Sequence, residues 1–328
     1  MAAVLLRKEK YCCSLFKITG MLRSLLLITG VLLLVAQWIF QPISVQAQFV
    51  VFITGILLLG IPHGAADLLV AHKSAEAGQQ KFYAFRFFVF YLSRLFLFGA
   101  VIYFFPAGGI ILFLLFAAYH FGETDLHFFN TNSVIGKVLV SCYGLVILSV
   151  ILLNNMEELQ QLILLSGFSI ERFPWLNWVA QHQYLVLSAS LILFFAAVFL
   201  YFLMHKGHSV ISERFLVQFA VLVFILFNLP LLTGFTFYFI VWHSVLSMQN
   251  IIRYLRSGNK FSLGNVVKQI AFYSSIALTG ILIAGSLGFM FVNFQAFVIY
   301  IFLGLAVLTA PHMQIMHSMY HHLRTRGK

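Results

Sequence analysis

Four of the chain's twelve histidines stand in otherwise apolar runs, each beside polar residues. They are His63 in GIPHGAAD, His120 in AAYHFGETD, His243 in FIVWHSVLSMQN and His312 in LTAPHMQIMH. Imidazole nitrogens suit iron, copper and zinc, whereas magnesium and calcium ask for oxygen ligands. Four neutral imidazoles would leave Fe(II) its charge and open positions for O2. A hydrolytic zinc site would need a bound water and a nearby base, but greasy surroundings favour an apolar substrate and oxygen chemistry. Asp67 follows His63 by four residues on the same helical face, Glu123 follows His120 by three, and Asp125 stands close behind. These carboxylates are the groups available to accept the second ring N–H of a ligand histidine and fix its tautomer. For Asp67 and Asp125 the competing account is a helix-end position, beside Lys73 or facing the cytosol. Pro62 and Pro311 immediately precede His63 and His312. Each frees a carbonyl one turn earlier, a defect tolerated in a membrane only where something re-satisfies it.

The elements that must carry these residues follow from composition. Of 328 residues, 62% are hydrophobic and only 9% charged, against roughly a quarter charged in soluble domains. Lipid must be the solvent, and the fold class is an all-α, polytopic helix bundle. About ten apolar stretches approach the ~20 residues a helix needs to cross a bilayer. They fall near 22–40, 47–70, 84–104, 107–122, 134–153, 184–204, 214–232, 233–256, 268–291 and 295–317. With a cytoplasmic N-terminus, 18 of the 20 lysines and arginines fall on the cytoplasmic side; only Arg94, within the third span, and Arg172 do not. That asymmetry is the positive-inside pattern. It puts both termini in the cytoplasm and accounts for the net charge of +11 without nucleic acid. The reading is one membrane domain over 1–328, with a basic leader at 1–21 and a basic tail at 318–328. The stretch 154–183 reads as a short amphipathic helix on the outer surface, anchored by Trp175 and Trp178.

This topology bears on the histidines, which took no part in the charge count. The second, fourth, eighth and tenth spans all run from outside to inside, so their imidazoles can meet at one depth. A lone histidine in a membrane helix is more often an interhelical hydrogen-bonder than a ligand. Four at one level favour a shared metal site, because burying ionisable groups in a membrane is expensive.

Other chemistries find less support. Cys12, Cys13 and Cys142 have neither metal-type nor disulfide-framework spacing, and no Gly-rich phosphate loop or internal repeat occurs. HSMYHH at 317–322 has the look of a histidine box from a di-iron membrane desaturase or hydroxylase. That class needs further multi-histidine boxes, which the chain lacks. A haem-binding or transport protein is the remaining class, with Asp67 or Arg94 on a proton or ion path; haem would show as a Soret band.

GIPHGAADLL, AAYHFGETDL, FYFIVWHSVLS and LTAPHMQIMHSMYHH, in this order in a multi-span chain, resemble the Brp/Blh family of membrane beta-carotene 15,15′-dioxygenases. The resemblance covers about residues 20–322, and its PHG-x-x-D and YHFG-x-x-D motifs stand 57 residues apart. It implies a non-haem Fe(2+) enzyme in a bacterial cytoplasmic membrane. Such an enzyme uses O2 to split beta-carotene at its central bond into two retinal molecules, with an opsin as a possible recipient. His63, His120 and His243 match the family's iron ligands. Some members carry a second histidine four residues after the third, where this chain has Ser247. His312 is the candidate for that fourth position, and a three-histidine site completed by water is the alternative. Aromatic residues (38 are Phe) would shape a tunnel for the polyene. Trp242 and Tyr119, adjacent to His243 and His120, either line it or serve ordinary packing.

Overall fold

The computed structural model describes residues 2–40, 44–127, 129, 131, 133–165, 174–204, 213–257, 262–289 and 294–326. Among them every regular element is helical. In chain order these are α1 (Ala2–Phe40), α2 (Val45–Ala77), α3 (Ala84–Phe104), α4 (Pro106–Asp125), α5 (Val134–Leu153) and α6 (Met156–Leu165). They continue with α7 (Pro174–Gln181), α8 (Gln183–Met204), α9 (Glu213–Asn228), α10 (Leu231–Arg256), α11 (Leu263–Phe289) and α12 (Phe294–Arg326).

Eight described helices are long and apolar enough to cross a bilayer: α1, α2, α3, α4, α5, α8, α10 and α11. The multi-pass, all-α architecture is therefore as expected. Of about ten expected spans, the other two fall on α9 and on α12. The stretch expected to span from 214 to 232 is a shorter apolar helix, Arg214–Asn228. It stops because Pro230 lacks the N–H that would continue the ladder. The side chains of Asn154 and Asn155 meet the freed carbonyls, donating to Phe227 at 2.6 Å and to Leu229 at 3.3 Å. Among the described residues of 154–183 there are two helices, α6 and α7, where one was expected, and Trp178 stacks on His182 with ring centroids 4.6 Å apart. The charges expected at Glu171, Arg172, Lys206, Lys260 and Lys328 lie outside the described residues. Arg94 is exposed on α3, its guanidinium over the Phe90 ring.

The four histidine-bearing helices, α2, α4, α10 and α12, pack together, with α1, α3, α5, α9 and α11 against them and α8 against α5. Their C-terminal ends gather at one end of the bundle. Lys73 of α2 donates to the carbonyls of Leu255 and Ser257, at 3.4 and 2.8 Å, at the end of α10. Arg324 of α12 donates to Glu123 near the end of α4 at 3.0 Å. Cations on helix C-termini satisfy orphan carbonyls and the macrodipole together. The opposite end holds the Asn154 and Asn155 bonds, and Glu158 there accepts the first N–H of α10, that of Leu231, at 2.9 Å. All four helices thus run in the same direction, as the charge pattern requires.

The closest crossing lies between α4 and α5. A Cβ on Gly122 would sit 1.8 Å from the Val140 carbonyl oxygen, and one on Gly144 would sit 1.9 Å from that of Ala118. Only glycine allows these backbones to approach so closely, as small residues do at membrane helix contacts. This crossing presses the His120 segment of α4 into the interior.

Candidate metal centre

His63, His120, His243 and His312 are all buried, between 0% and 8% exposed, and they come together. Ring centroids of His63 and His312 are 4.5 Å apart, those of His120 and His312 5.0 Å, and those of His120 and His243 4.8 Å. His63 and His243 are 5.4 Å apart, and His63 and His120 6.5 Å. One ring nitrogen from each of His63, His120 and His312 can be chosen so that all three lie within 4.8 Å of one another. His243 packs against His120 and His63 at the edge of this trio. Its ring is also close to Phe121, at 4.8 Å, and stacked on Phe239 at 6.0 Å.

Two of the helices reach the cluster through a π-helical segment. In α2, Ile56–Gly60 is π-helical, and the Ile61 N–H reaches back five residues to the Ile56 carbonyl, just before Pro62. Proline cannot donate, so the ladder widens where its bond is missing. In α10, Thr236–His243 is π-helical and ends on the histidine itself. There the Phe239 carbonyl accepts both the Ser244 N–H and the Ser244 hydroxyl, the latter at 3.0 Å. Short π segments are frequent at functional sites because they re-aim side chains within a helix. His120 stands on regular helix, and His312 follows the in-helix Pro311.

The carboxylates divide the surrounding work. Asp67 accepts from His312 Nδ1 at 2.7 Å and from the Tyr91 hydroxyl at 3.2 Å. This leaves Nε2 of His312 to face the other rings. Glu123 does not reach the four histidines. Its Oε1 accepts from His317 Nδ1 at 2.8 Å, Arg324 at 3.0 Å and the Tyr119 hydroxyl at 3.3 Å. Asp125 does not touch the four rings either. Its Oδ2 accepts from the Tyr143 hydroxyl at 2.8 Å, Trp242 Nε1 at 3.0 Å and the Tyr238 hydroxyl at 3.2 Å. Its backbone carbonyl accepts from Arg23. Trp242 and Tyr119 are therefore held by carboxylates. Ser247 is buried with its hydroxyl unpartnered.

Both ring nitrogens of His63, His120 and His243, and Nε2 of His312, have no hydrogen-bond partner. Each buried polar atom left in this state costs about 1–3 kcal/mol, so a cluster of them asks for a cation. Imidazole nitrogens from His63, His120 and His312, carried on separate helices, could hold a transition-metal ion, with iron, copper and zinc in the class.

Sequence reasoning did not anticipate Tyr91, Tyr143, Tyr238, Arg23, His317 or Arg324 as partners of the acids. No spacing rule along one helix could have found them, since each stands on a different helix from the acid it meets.

A family model for beta-carotene 15,15′-dioxygenase matches residues 54–320, a span that contains all four histidines. A beta-carotene 15,15′-dioxygenase from the uncultured marine bacterium 66A03 is 24% identical over 267 residues, covering 79% of this chain and 89% of the relative. No solved structure matches. The chain belongs to the beta-carotene 15,15′-dioxygenase family of carotenoid-cleaving enzymes.

Proposed function

We propose that this chain uses O2 to cleave beta-carotene, or a closely related carotenoid, at the 15,15′ double bond, giving two molecules of retinal. The iron would be held by His63, His120, His243 and His312. The observation that carries the reading is a group of buried imidazoles without hydrogen-bond partners, three of which can place a nitrogen within 4.8 Å of one another, with His243 at their edge, in a chain of this family. Fe(II) bound there would supply the O2-binding and redox chemistry that a dioxygenase requires.

The chain's own residues supply the rest. Asp67 accepts the Nδ1 proton of His312, which fixes the tautomer and keeps Nε2 available as a ligand. With His312 in the set, Ser247 is not needed as a ligand. On one side of the histidines an aromatic layer begins with Phe302 stacked on Phe52 at 5.0 Å. It continues through Phe235, 5.9 Å from Phe52, to Phe239, which stacks on Phe235 at 5.3 Å and then on His243. Such a layer would hold a rigid polyene by shape, and placement of one bond at the centre would set the cleavage position. On the other side Val70, Ile251, Tyr254, Met316 and Met319 form an apolar plug that keeps water from the centre. Substrate would enter from the bilayer, and the bacterial relative suggests the cytoplasmic membrane of a bacterium.

The test is expression in bacteria that accumulate beta-carotene, with retinal quantified by chromatography and iron measured in the purified chain. Loss of colour with retinal appearing, abolished by His63→Ala and by His120→Ala together with the bound iron, is the expected result. Intact beta-carotene with native protein in the membrane would refute the substrate. A Soret band in the purified chain would refute non-haem iron.

A further inference from the structure

We infer that Asp125 is a positioning residue that aims His243, acting through Trp242 and Tyr238; the inference rests on the reading of the four histidines as metal ligands. Asp125 is 1% exposed and ends α4. Three donors converge on its Oδ2, and two of them, Tyr238 and Trp242, stand in the π-helical segment that terminates at His243. The third, Tyr143, comes from α5, and Arg23 of α1 holds the Asp125 backbone carbonyl. One carboxylate therefore fastens the π segment to α4, on a base that α1 and α5 steady.

The consequence for His243 is geometric. Neighbouring residues on a helix leave its axis on different faces. With the Trp242 indole fixed on Asp125, the next side chain must point to another face. The face it takes carries His120, 4.8 Å away between ring centroids. A π segment alone does not hold that roll well, because its hydrogen-bond ladder is irregular and intolerant of length. His312 has a carboxylate on its own ring, whereas both nitrogens of His243 lack any partner. Its orientation comes from ring packing on Phe121 and Phe239 and from the helix that bears it, and Asp125 bonds that helix at the adjacent residue.

Coupling to His243 separates this role from general stabilisation. Cobalt(II) affinity and ligand-field absorption would be measured on the full-length chain in detergent, for Asp125→Ala and Trp242→Phe. Each would be made in the native background and again in His243→Ala. If Asp125 acts through His243, Asp125→Ala, which removes the acceptor, weakens cobalt binding tenfold or more and shifts the absorption bands in the native background. In His243→Ala it changes affinity less than twofold. Equal losses in both backgrounds would overturn the role, as would no loss in either. A native chain that binds no cobalt would overturn the four-histidine reading, and this one with it. A native chain that binds cobalt and is unaffected by Asp125→Ala would overturn only the positioning role. Should Asp125→Ala not fold, Trp242→Phe and Tyr238→Phe carry the same cycle, since each removes one donor and keeps the ring.

Discussion

The Asp67 carboxylate serves two helices at once, accepting from His312 of α12 and from Tyr91 of α3. Asp67→Ala should therefore lower metal affinity by about 10–100-fold, the usual cost of removing a carboxylate that orients a ligand imidazole. Asp67→Asn keeps an acceptor for the ring N–H and should cost less. Ser247→Ala, which removes a buried and unpartnered hydroxyl, should leave affinity within twofold. A metal titration of the three variants checks the order, and a loss in Ser247→Ala as large as in Asp67→Ala would contradict the proposed role of His312. The histidines were legible in the sequence because an imidazole in an apolar run is costly enough to be conspicuous. Asp67 was legible from the same helical face as His63. Glu123 and Asp125 do not take the role that their spacing from His120 suggests: Glu123 accepts from His317 and Arg324, and Asp125 from Tyr143, Tyr238 and Trp242, not from any of the four rings. Spacing along a helix says which face a side chain occupies, and the donors it meets there come from elsewhere in the chain.

Between residue and bundle, the helices do the aiming by departing from regularity. Pro62 marked α2 as irregular in the sequence, whereas nothing in TFYFIVWH announces the π segment of α10. That segment reflects the Ser244 hydroxyl competing for the Phe239 carbonyl and the hold of Asp125 on two aromatic side chains. Glycine has the opposite task on α4, where regular helix must come very close to α5. Gly122→Ala would drive a methyl to 1.8 Å from a backbone oxygen that has no side-chain freedom to yield. The helices must separate, at a cost toward the top of the about 1–3 kcal/mol typical of overpacking, and His120 moves with α4. A lower melting temperature in detergent together with weaker metal binding is the expected outcome. Gly108→Ala on the same helix, where a Cβ would meet nothing within 4 Å, should change neither. Equal behaviour of the two variants would remove the close crossing as the reason for the glycine.

Over the whole molecule, four parallel helices can bring their histidines to one depth only if the loops between them alternate sides as the basic residues imply. The charge pattern was readable because insertion of the chain depends on it. The number of spans was less so, because a proline and two asparagines end α9 early. The orientation makes a prediction that does not depend on metal or substrate. In a chain whose Cys12, Cys13 and Cys142 are replaced by serine, Gln79→Cys, just after α2, should react with a membrane-impermeant maleimide only once the cytoplasmic side is opened. Gln181→Cys, at the end of α7, should react in intact cells. The two sites belong to opposite ends of the bundle, the first near the Lys73 bonds and the second beyond the Asn154 bonds. Labelling of both from one side would break the alternation. Labelling of each from the side opposite to that expected would keep the bundle and invert it. In that case the ends of α2, α4, α10 and α12 that carry Lys73, Asp125 and Arg324 would face outward, against the orientation that the basic residues predict.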